Sequence, residues 1–411
     1  MKKRNCIIGQ SGGPTVAINA TLAGIISKAK QSGEFQNIYG MINGIQGLIE
    51  RRIINLLEEF ANDDQIDNLK TTPAMYLGSC RFKLSDHTQD DSQFQKIVLI
   101  LQELGITDFF YIGGNDSMDT VMKLNRYAKF IGIDINFIGL PKTIDNDLFG
   151  TDHTPGFGSA AKYVASSMLE VVHDSSIYDL PSITIVEVMG RNAGWLTASS
   201  ALSRNEYNSA PDLIYLPEVT FDKDRFLADI ENVMKKKRFV VVAVSEGIRD
   251  EEGNYLDADS RYVKKDAFGH ILHSGTGKVL ETLVYNRFHC KVRSIELNVL
   301  QRCAMHIASK CDLDESFNCG IHAIECALNN LSGQVVSMKR VSNDPYTIEY
   351  IHNDVENVAN LEQKMPRHFI NEQGNDITQD AIEYLKPLIQ GEVMLRYENG
   401  IPTYLSCKHL L

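Results

Sequence analysis

The sequence predicts an α/β protein built on mostly parallel sheets and large enough for two core-forming lobes. Short β-branched runs alternate along the chain with amphipathic segments. The runs are mostly apolar without alternation, as strands are when helices cover both faces of a sheet. Several of them end directly in a glycine-containing loop. A chain of 411 residues, 43% hydrophobic and 23% charged, has the composition of an ordinary globular protein of that size.

The predicted strands are Cys6–Ile8, Asn37–Met41, Phe109–Ile112, Phe137–Leu140, Ile183–Val188 and Phe239–Val244. The predicted helices include Val16–Lys30, Ser92–Leu104, Met118–Phe130 and Ser159–His173. In open α/β sheets, ligands bind at the carboxyl ends of the strands, so the chemistry belongs in the loops that follow them. Residues 249–275 are polar and glycine-dotted and read as a hairpin or excursion. Residues from about 335 onward contain little that looks catalytic and read as packing on the body or supporting assembly.

Net charge is −12 and the pI about 5.4, which argues against non-specific nucleic-acid binding and against an anionic membrane surface. The apolar runs are of strand length, too short to span a bilayer, and the start MKKRNCIIGQSGG has an apolar stretch of only three residues before Gly9. Eight cysteines without a C-x-x-C pair suit a reduced, cytoplasmic compartment. The seven- and eight-residue spacing of Cys303, Cys311, Cys319 and Cys326 is better explained by packing on a helix face than by a zinc site.

Each strand-end loop has a plain structural reading beside a chemical one. Gly9-Gln10-Ser11-Gly12-Gly13-Pro14-Thr15 is a tight turn, or a cradle of backbone N–H groups for phosphate at a helix N-terminus. In Gly113-Gly114-Asn115-Asp116-Ser117, Asp116 and Ser117 cap a helix, or the loop binds phosphate with a side-chain oxygen near Mg²⁺. Pro141-Lys142-Thr143-Ile144-Asp145-Asn146-Asp147 is a polar turn, or a catalytic loop. If it is extended, its two carboxylates project the same way, one to take a proton and one to orient it or hold a metal-bound water, while Lys142 neutralises charge on a moving phosphoryl group. Arg191, after Met189-Gly190, forms a surface ion pair or binds phosphate bidentately. Glu246 pairs locally or accepts hydrogen bonds from sugar hydroxyls. Arg293 and Arg302 read equally as ordinary surface cations.

Taken in order, GQSGGPT, LGSCR, GGNDS, PKTIDND, VEVMGR, SEG and LQR resemble the phosphofructokinase family over roughly residues 4–310. The resemblance implies two doubly wound, Rossmann-like lobes with the active site in the cleft between them. It implies a donor lobe at 1–156 plus about 303–345, a sugar-phosphate lobe at 157–302, and a C-terminal extension at 346–411. It also implies Mg²⁺-dependent phosphorylation of the 1-hydroxyl of fructose 6-phosphate.

Position by position, Asp145 resembles the base that takes the hydroxyl proton. Thr143, Ile144 and Asp147 fall in the same substrate- and metal-associated loop. Met189, Gly190 and Arg191 match the sugar-phosphate loop, with Arg191 near the transferring group. Glu246 and Arg302 match positions that hold the sugar and its 6-phosphate. Arg293 matches an arginine that reaches a neighbouring subunit's 6-phosphate, so the resemblance implies a homodimer or homotetramer. Gly12, Gly13, Arg81, Gly114, Asp116, Ser117 and Lys142 fall on the donor side.

Three positions favour pyrophosphate over ATP as donor. Asp116 and Lys142 stand where the ATP-dependent members have glycines, and the pyrophosphate-dependent members carry this Asp and Lys. A carboxylate at 116 would repel a nucleotide's α-phosphate. In the stretch Gly44-Ile45-Gln46-Gly47-Leu48, Ile45 replaces an aromatic that helps receive adenine.

Some positions depart from the pattern. Asn115 replaces a metal-serving aspartate, Val299 a sugar-contacting histidine, and Ser182 a cross-subunit arginine, with Lys291 and Arg204 as candidate substitutes for the last. The competing functional readings are an ATP-dependent 6-phosphofructokinase, a sedoheptulose 7-phosphate kinase, and a non-catalytic sugar-phosphate sensor, which would be expected to lack the loop acids.

Overall fold

The computed structural model describes residues 3–177, 179–256, 264–265, 271–272 and 275–410. The chain first lays down β1 (Arg4–Gln10), β2 (Phe35–Met41), β3 (Ile53–Asn55), β4 (Asp108–Gly113) and β5 (Asn136–Pro141). It then builds a second sheet from β6 (Ser182–Val188), β7 (Leu213–Tyr215) and β8 (Phe239–Ser245). Two short pieces follow, β9 (Lys264–Lys265) and β10 (Ile271–Leu272), which pair antiparallel. The second sheet is completed by β11 (Lys291–Glu296), and the chain returns to the first with β12 (Gln334–Asn343) and β13 (Tyr346–Asp354). The sheet orders are β13-β12-β5-β4-β1-β2-β3 and β11-β6-β8-β7.

In the first sheet β1 lies parallel to both β2 and β4, and β5 to β4 and β12; only β3 and β13 run antiparallel to their neighbours. The second sheet is wholly parallel. The predicted apolar runs form central strands, and every residue of β4, β5 and β6 is buried. Helices cover both faces, so no side of these strands meets water, and the sequence has no reason to alternate.

The helices Ile18–Ser32 and Lys310–Leu328 cross on one face of the first sheet, backbone against backbone. A Cβ on Gly24 would come 2.0 Å from the carbonyl oxygen of Phe317, and one on Gly320 would come 2.3 Å from that of Thr21. Cys311, Cys319 and Cys326 ride on the second of these helices, with Cys319 and Cys326 in the core beneath it. All eight cysteines are free.

The expected boundary at 345/346 falls in the turn of the β12–β13 hairpin, and both strands belong to the first sheet. The stretch beyond packs on both lobes. Val355, Val358 and Ala359 enter the core of the first lobe, while Met365, Ile370, Ile377, Ala381, Leu385 and Leu388 enter that of the second. The predicted excursion at 249–275 lies largely outside the described residues; β9 and β10 are its paired part. Among the described residues no helix is long and apolar enough to cross a membrane.

Candidate active site

The carboxyl ends of β1, β4, β5, β6 and β8 open into one cleft of about 790 Å³ between the two sheets. After β1 the chain turns at Gly12, whose φ of 82° suits glycine. This turn is pinned to its neighbours: Ser11 N–H donates to Ile112 O at 3.0 Å, and Ser79 Oγ to Gly12 O at 2.7 Å. Ser11 Oγ also meets Ser117 Oγ at 2.8 Å, joining the first two glycine loops. Two cations press on this turn. Lys142 Nζ lies 3.0 Å from where a Cβ on Gly12 would sit, and an Arg302 guanidinium nitrogen 3.2 Å from that of Gly13.

The second loop ends β4 and starts the helix Asn115–Ile131. Gly114, Asn115, Asp116 and Ser117 all line the cleft. Asn115 Oδ1 is buried and meets no hydrogen-bond partner among the described residues. An orphaned amide oxygen beside a phosphate cradle suits an oxygen-seeking cation.

The loop after β5 bends at Ile144 and Asp145 and takes a left-handed residue at Asn146, and in doing so brings both acids to the cleft. Lys142 N–H donates to Gly113 O at 3.0 Å. Thr143, Asp145 and Asp147 line the cleft. Ile144 does not, because its side chain packs in the second lobe's core. Asn146, at φ 56°, turns inward. Its Oδ1 accepts from Thr154 N–H at 2.9 Å and its Nδ2 donates to Tyr384 Oη at 2.9 Å, which fixes the two acids on either side of it.

Electrostatics follow from burial. Burial pushes Lys142 down to about 8, against the pull of Asp145 and Asp147, and Arg302 adds to the fall. Burial raises Asp145, while Lys142, Arg191, Arg302 and the Thr143 hydroxyl oppose the rise. Asp147 is pushed up to about 7 by burial, then by Asp145 and Glu362. Glu246 is pushed up to about 8 by burial, then by Asp145 and Glu187. A constellation of acids pushed toward neutrality by burial and by one another, with adjacent cations opposing the rise, is suited to proton transfer.

Beyond β6, Met189 N–H donates to Gln301 Oε1 at 3.2 Å and Gly190 N–H to Glu246 Oε1 at 3.4 Å. Gly190 itself supports the loop from behind, since only its neighbours Met189 and Arg191 line the cleft. Arg191 brings a buried Nε that meets no partner among the described residues. Glu246 follows β8, and Arg302 ends the short 3₁₀ turn Asn298–Arg302; both line the cleft, as does Arg81.

Arg293 does not line the cleft. It lies on the edge strand β11 and pairs with Asp174 at 2.8 Å, and neither residue lines the cleft. Arg204 is tied to Asp376 at 2.9 Å and to the Pro211 carbonyl, which removes it as a replacement for the arginine missing at Ser182. Lys291 opens β11, also away from the cleft. Ile45 is in the core, where it offers no face to a base.

The sequence reading did not single out several residues that line the cleft. Phe82 follows the expected Arg81, and Asn192 follows Arg191. Arg249 lies over the Tyr255 ring at 4.1 Å and donates to Asn192 Oδ1 at 3.4 Å. Asn360 and Glu362 come from the stretch expected to hold no site residues; Asn192 Nδ2 donates to Glu362 Oε1 at 3.1 Å. Only the run-on positions 82 and 192 were open to notice, as neighbours of motif residues.

The phosphofructokinase family model matches residues 5–327. The pyrophosphate–fructose 6-phosphate 1-phosphotransferases of Halomonas elongata and Xanthomonas campestris are each 38% identical to this chain. They match over 98% and 100% of it, and over 96% and 97% of their own lengths. The crystal structure of a pyrophosphate-dependent phosphofructokinase from Nitrosospira multiformis superposes with a TM-score of 0.89 at 35% identity, covering 99% of this chain and 97% of that one. With the acid loop, the glycine turns and the lysine of the cleft in the order that family has them, the chain belongs to the phosphofructokinase family, among its pyrophosphate-dependent members.

Proposed function

We propose that this chain transfers a phosphoryl group from pyrophosphate to the 1-hydroxyl of fructose 6-phosphate, reversibly, giving fructose 1,6-bisphosphate and phosphate. The observation that carries the donor assignment is the pairing of Lys142, against the Gly12 turn, with Asp116 in the same cleft. A bare diphosphate gains the ammonium and the backbone N–H groups of two glycine loops. A nucleotide would carry its α-phosphate toward the Asp116 carboxylate.

Asp145 accepts the proton of the sugar hydroxyl, whose oxygen forms the new bond to the terminal phosphorus as the bridging P–O bond breaks. Its burial favours the protonated form and the three nearby cations favour the ionised one, so it can take and return a proton in either direction. Lys142 and Arg191 spread the charge of the transferring group, and Glu246 and Arg302 hold the sugar phosphate. Asn115, Asp145 and Asp147 offer only oxygen donors, which fits Mg²⁺ and not a thiolate- or imidazole-seeking metal. When bound, Mg²⁺ neutralises phosphate charge. Arg293, exposed on an edge strand, is placed to serve a neighbouring copy in a homodimer or homotetramer. The free cysteines suit a cytoplasmic setting.

The deciding experiment supplies purified protein with Mg²⁺, fructose 6-phosphate and either pyrophosphate or ATP. Turnover with pyrophosphate and little with ATP is expected. Strong ATP turnover with none from pyrophosphate would overturn the donor assignment, and sugar-phosphate binding without turnover would favour the sensor. Sedoheptulose 7-phosphate in a parallel arm tests the acceptor.

A further inference from the structure

Far from the phosphate loops, on the outer face of the first lobe, His322, Cys326 and His352 bring one ligand atom each to within 4.8 Å of one another. Among the described residues this is the one group of three or more His, Cys, Asp or Glu side chains so placed. His322 and Cys326 are four residues apart on the helix Lys310–Leu328 and therefore share a face. His352 comes from β13, opposite Val336 of β12, and its ring stacks on that of His322 at 5.9 Å.

Two further features mark the trio as more than packed side chains. His322 Nε2 is buried and meets no hydrogen-bond partner among the described residues; a buried ring nitrogen left so is a site waiting for one. Its other nitrogen, Nδ1, lies 3.5 Å from Glu325 Oε2, and Glu325 in turn pairs with Lys28 at 3.0 Å. A carboxylate behind one ring nitrogen, itself anchored, is how metal-ligating histidines are fixed with the other nitrogen presented to the ion.

We propose that His322 Nε2, Cys326 Sγ and a ring nitrogen of His352 form a binding site for Zn²⁺ or a divalent ion of similar softness, independent of the Mg²⁺ chemistry of the cleft. Two imidazoles and one thiolate are a donor set that selects such ions over Mg²⁺. Bonds of about 2.0–2.3 Å hold ligand atoms closer together than 4.8 Å, and a small turn of the exposed His352 ring closes that gap. Solvent reaches the exposed His352 side and supplies the fourth ligand. Binding exchanges the Cys326 thiol proton for the ion. The ion then ties the hairpin at the sheet edge to the helix that packs against its face.

The test titrates the full-length protein, in Mg²⁺ buffer, with Zn²⁺ by calorimetry and with Co²⁺ by absorption. One equivalent per chain is expected, with a near-ultraviolet thiolate-to-cobalt charge-transfer band and a thermal midpoint raised by Zn²⁺. Cys326→Ser should abolish the band. His352→Ala, at an exposed position that does not threaten folding, should abolish the Zn²⁺-induced stabilisation. Glu325→Gln should weaken affinity by about 10- to 100-fold. None of these changes touches the cleft, so basal turnover should stay as in the parent. Absence of a stoichiometric site in the parent, or equal binding and an unaltered band in Cys326→Ser and His352→Ala, would overturn the proposal.

Discussion

Lys142 Nζ stands 3.0 Å from the point where a Cβ on Gly12 would sit. The glycine is therefore what lets the ammonium approach the turn, and φ at 82° adds a conformational demand of its own. Gly12→Ala should raise the KM for pyrophosphate on the order of tenfold, the response to about 1.4 kcal/mol of lost binding. Initial rates at varied pyrophosphate would show it. An unchanged KM would mean that Lys142 does not serve the donor.

Asp116 decides between donors by repulsion. Asp116→Gly is expected to weaken pyrophosphate use and to admit some ATP turnover where the parent has little. Steady-state kinetics with both donors, on one preparation, reads the two effects together. An unchanged pyrophosphate rate would place the carboxylate outside the donor site.

Asp145 is the proposed base, and Asp145→Ala should lower kcat by about two to four orders of magnitude while fructose 6-phosphate still binds. Near-parent turnover would remove Asp145 from that role.

Glu246 carries a pH signature. Its folded value is pushed up to about 8 by burial, against about 4.3 for an exposed glutamate. The folded state holds the proton more tightly, so the carboxyl's contribution to stability is complete below about pH 4 and is lost as pH rises through about 8. Glu246→Gln cannot ionise. Thermal midpoints measured across this window should fall with rising pH more steeply in the parent than in the variant. Parallel curves would contradict the burial argument.

Gly320 sits where two helices touch. Gly320→Ala puts a methyl group 2.3 Å from the Thr21 carbonyl oxygen, and overpacking of this kind costs about 1–3 kcal/mol. Chemical denaturation should show reduced stability, with activity per folded molecule retained.

The strands and the cleft loops were legible in the sequence because both are local. A buried parallel strand is a continuous apolar run, and a loop at its end is punctuated by glycine. Asp145 and Asp147 were readable together because residues two apart on an extended backbone share a face, although the loop reaches that arrangement through bends and a left-handed Asn146. Ile144 was not separable from them on motif grounds, since only tertiary packing sends its side chain into the core. Asn360 and Glu362 were invisible for a related reason. No spacing near position 360 announces that the chain passes back over the cleft, and the Asn192–Glu362 hydrogen bond spans 170 residues. The β12–β13 hairpin was hard to read because β13 mixes half-buried and exposed positions at a sheet edge, unlike the strands that define the lobes.

The return of β12 to lie beside β5 has a consequence for how the molecule is made. Nearly two hundred residues are synthesised between these partners. Until they emerge, β5 presents an open edge to any passing strand. Nascent chains stalled before residue 334 should therefore depend on chaperones and be prone to clumping, even though most of the phosphate-handling loops have already been translated.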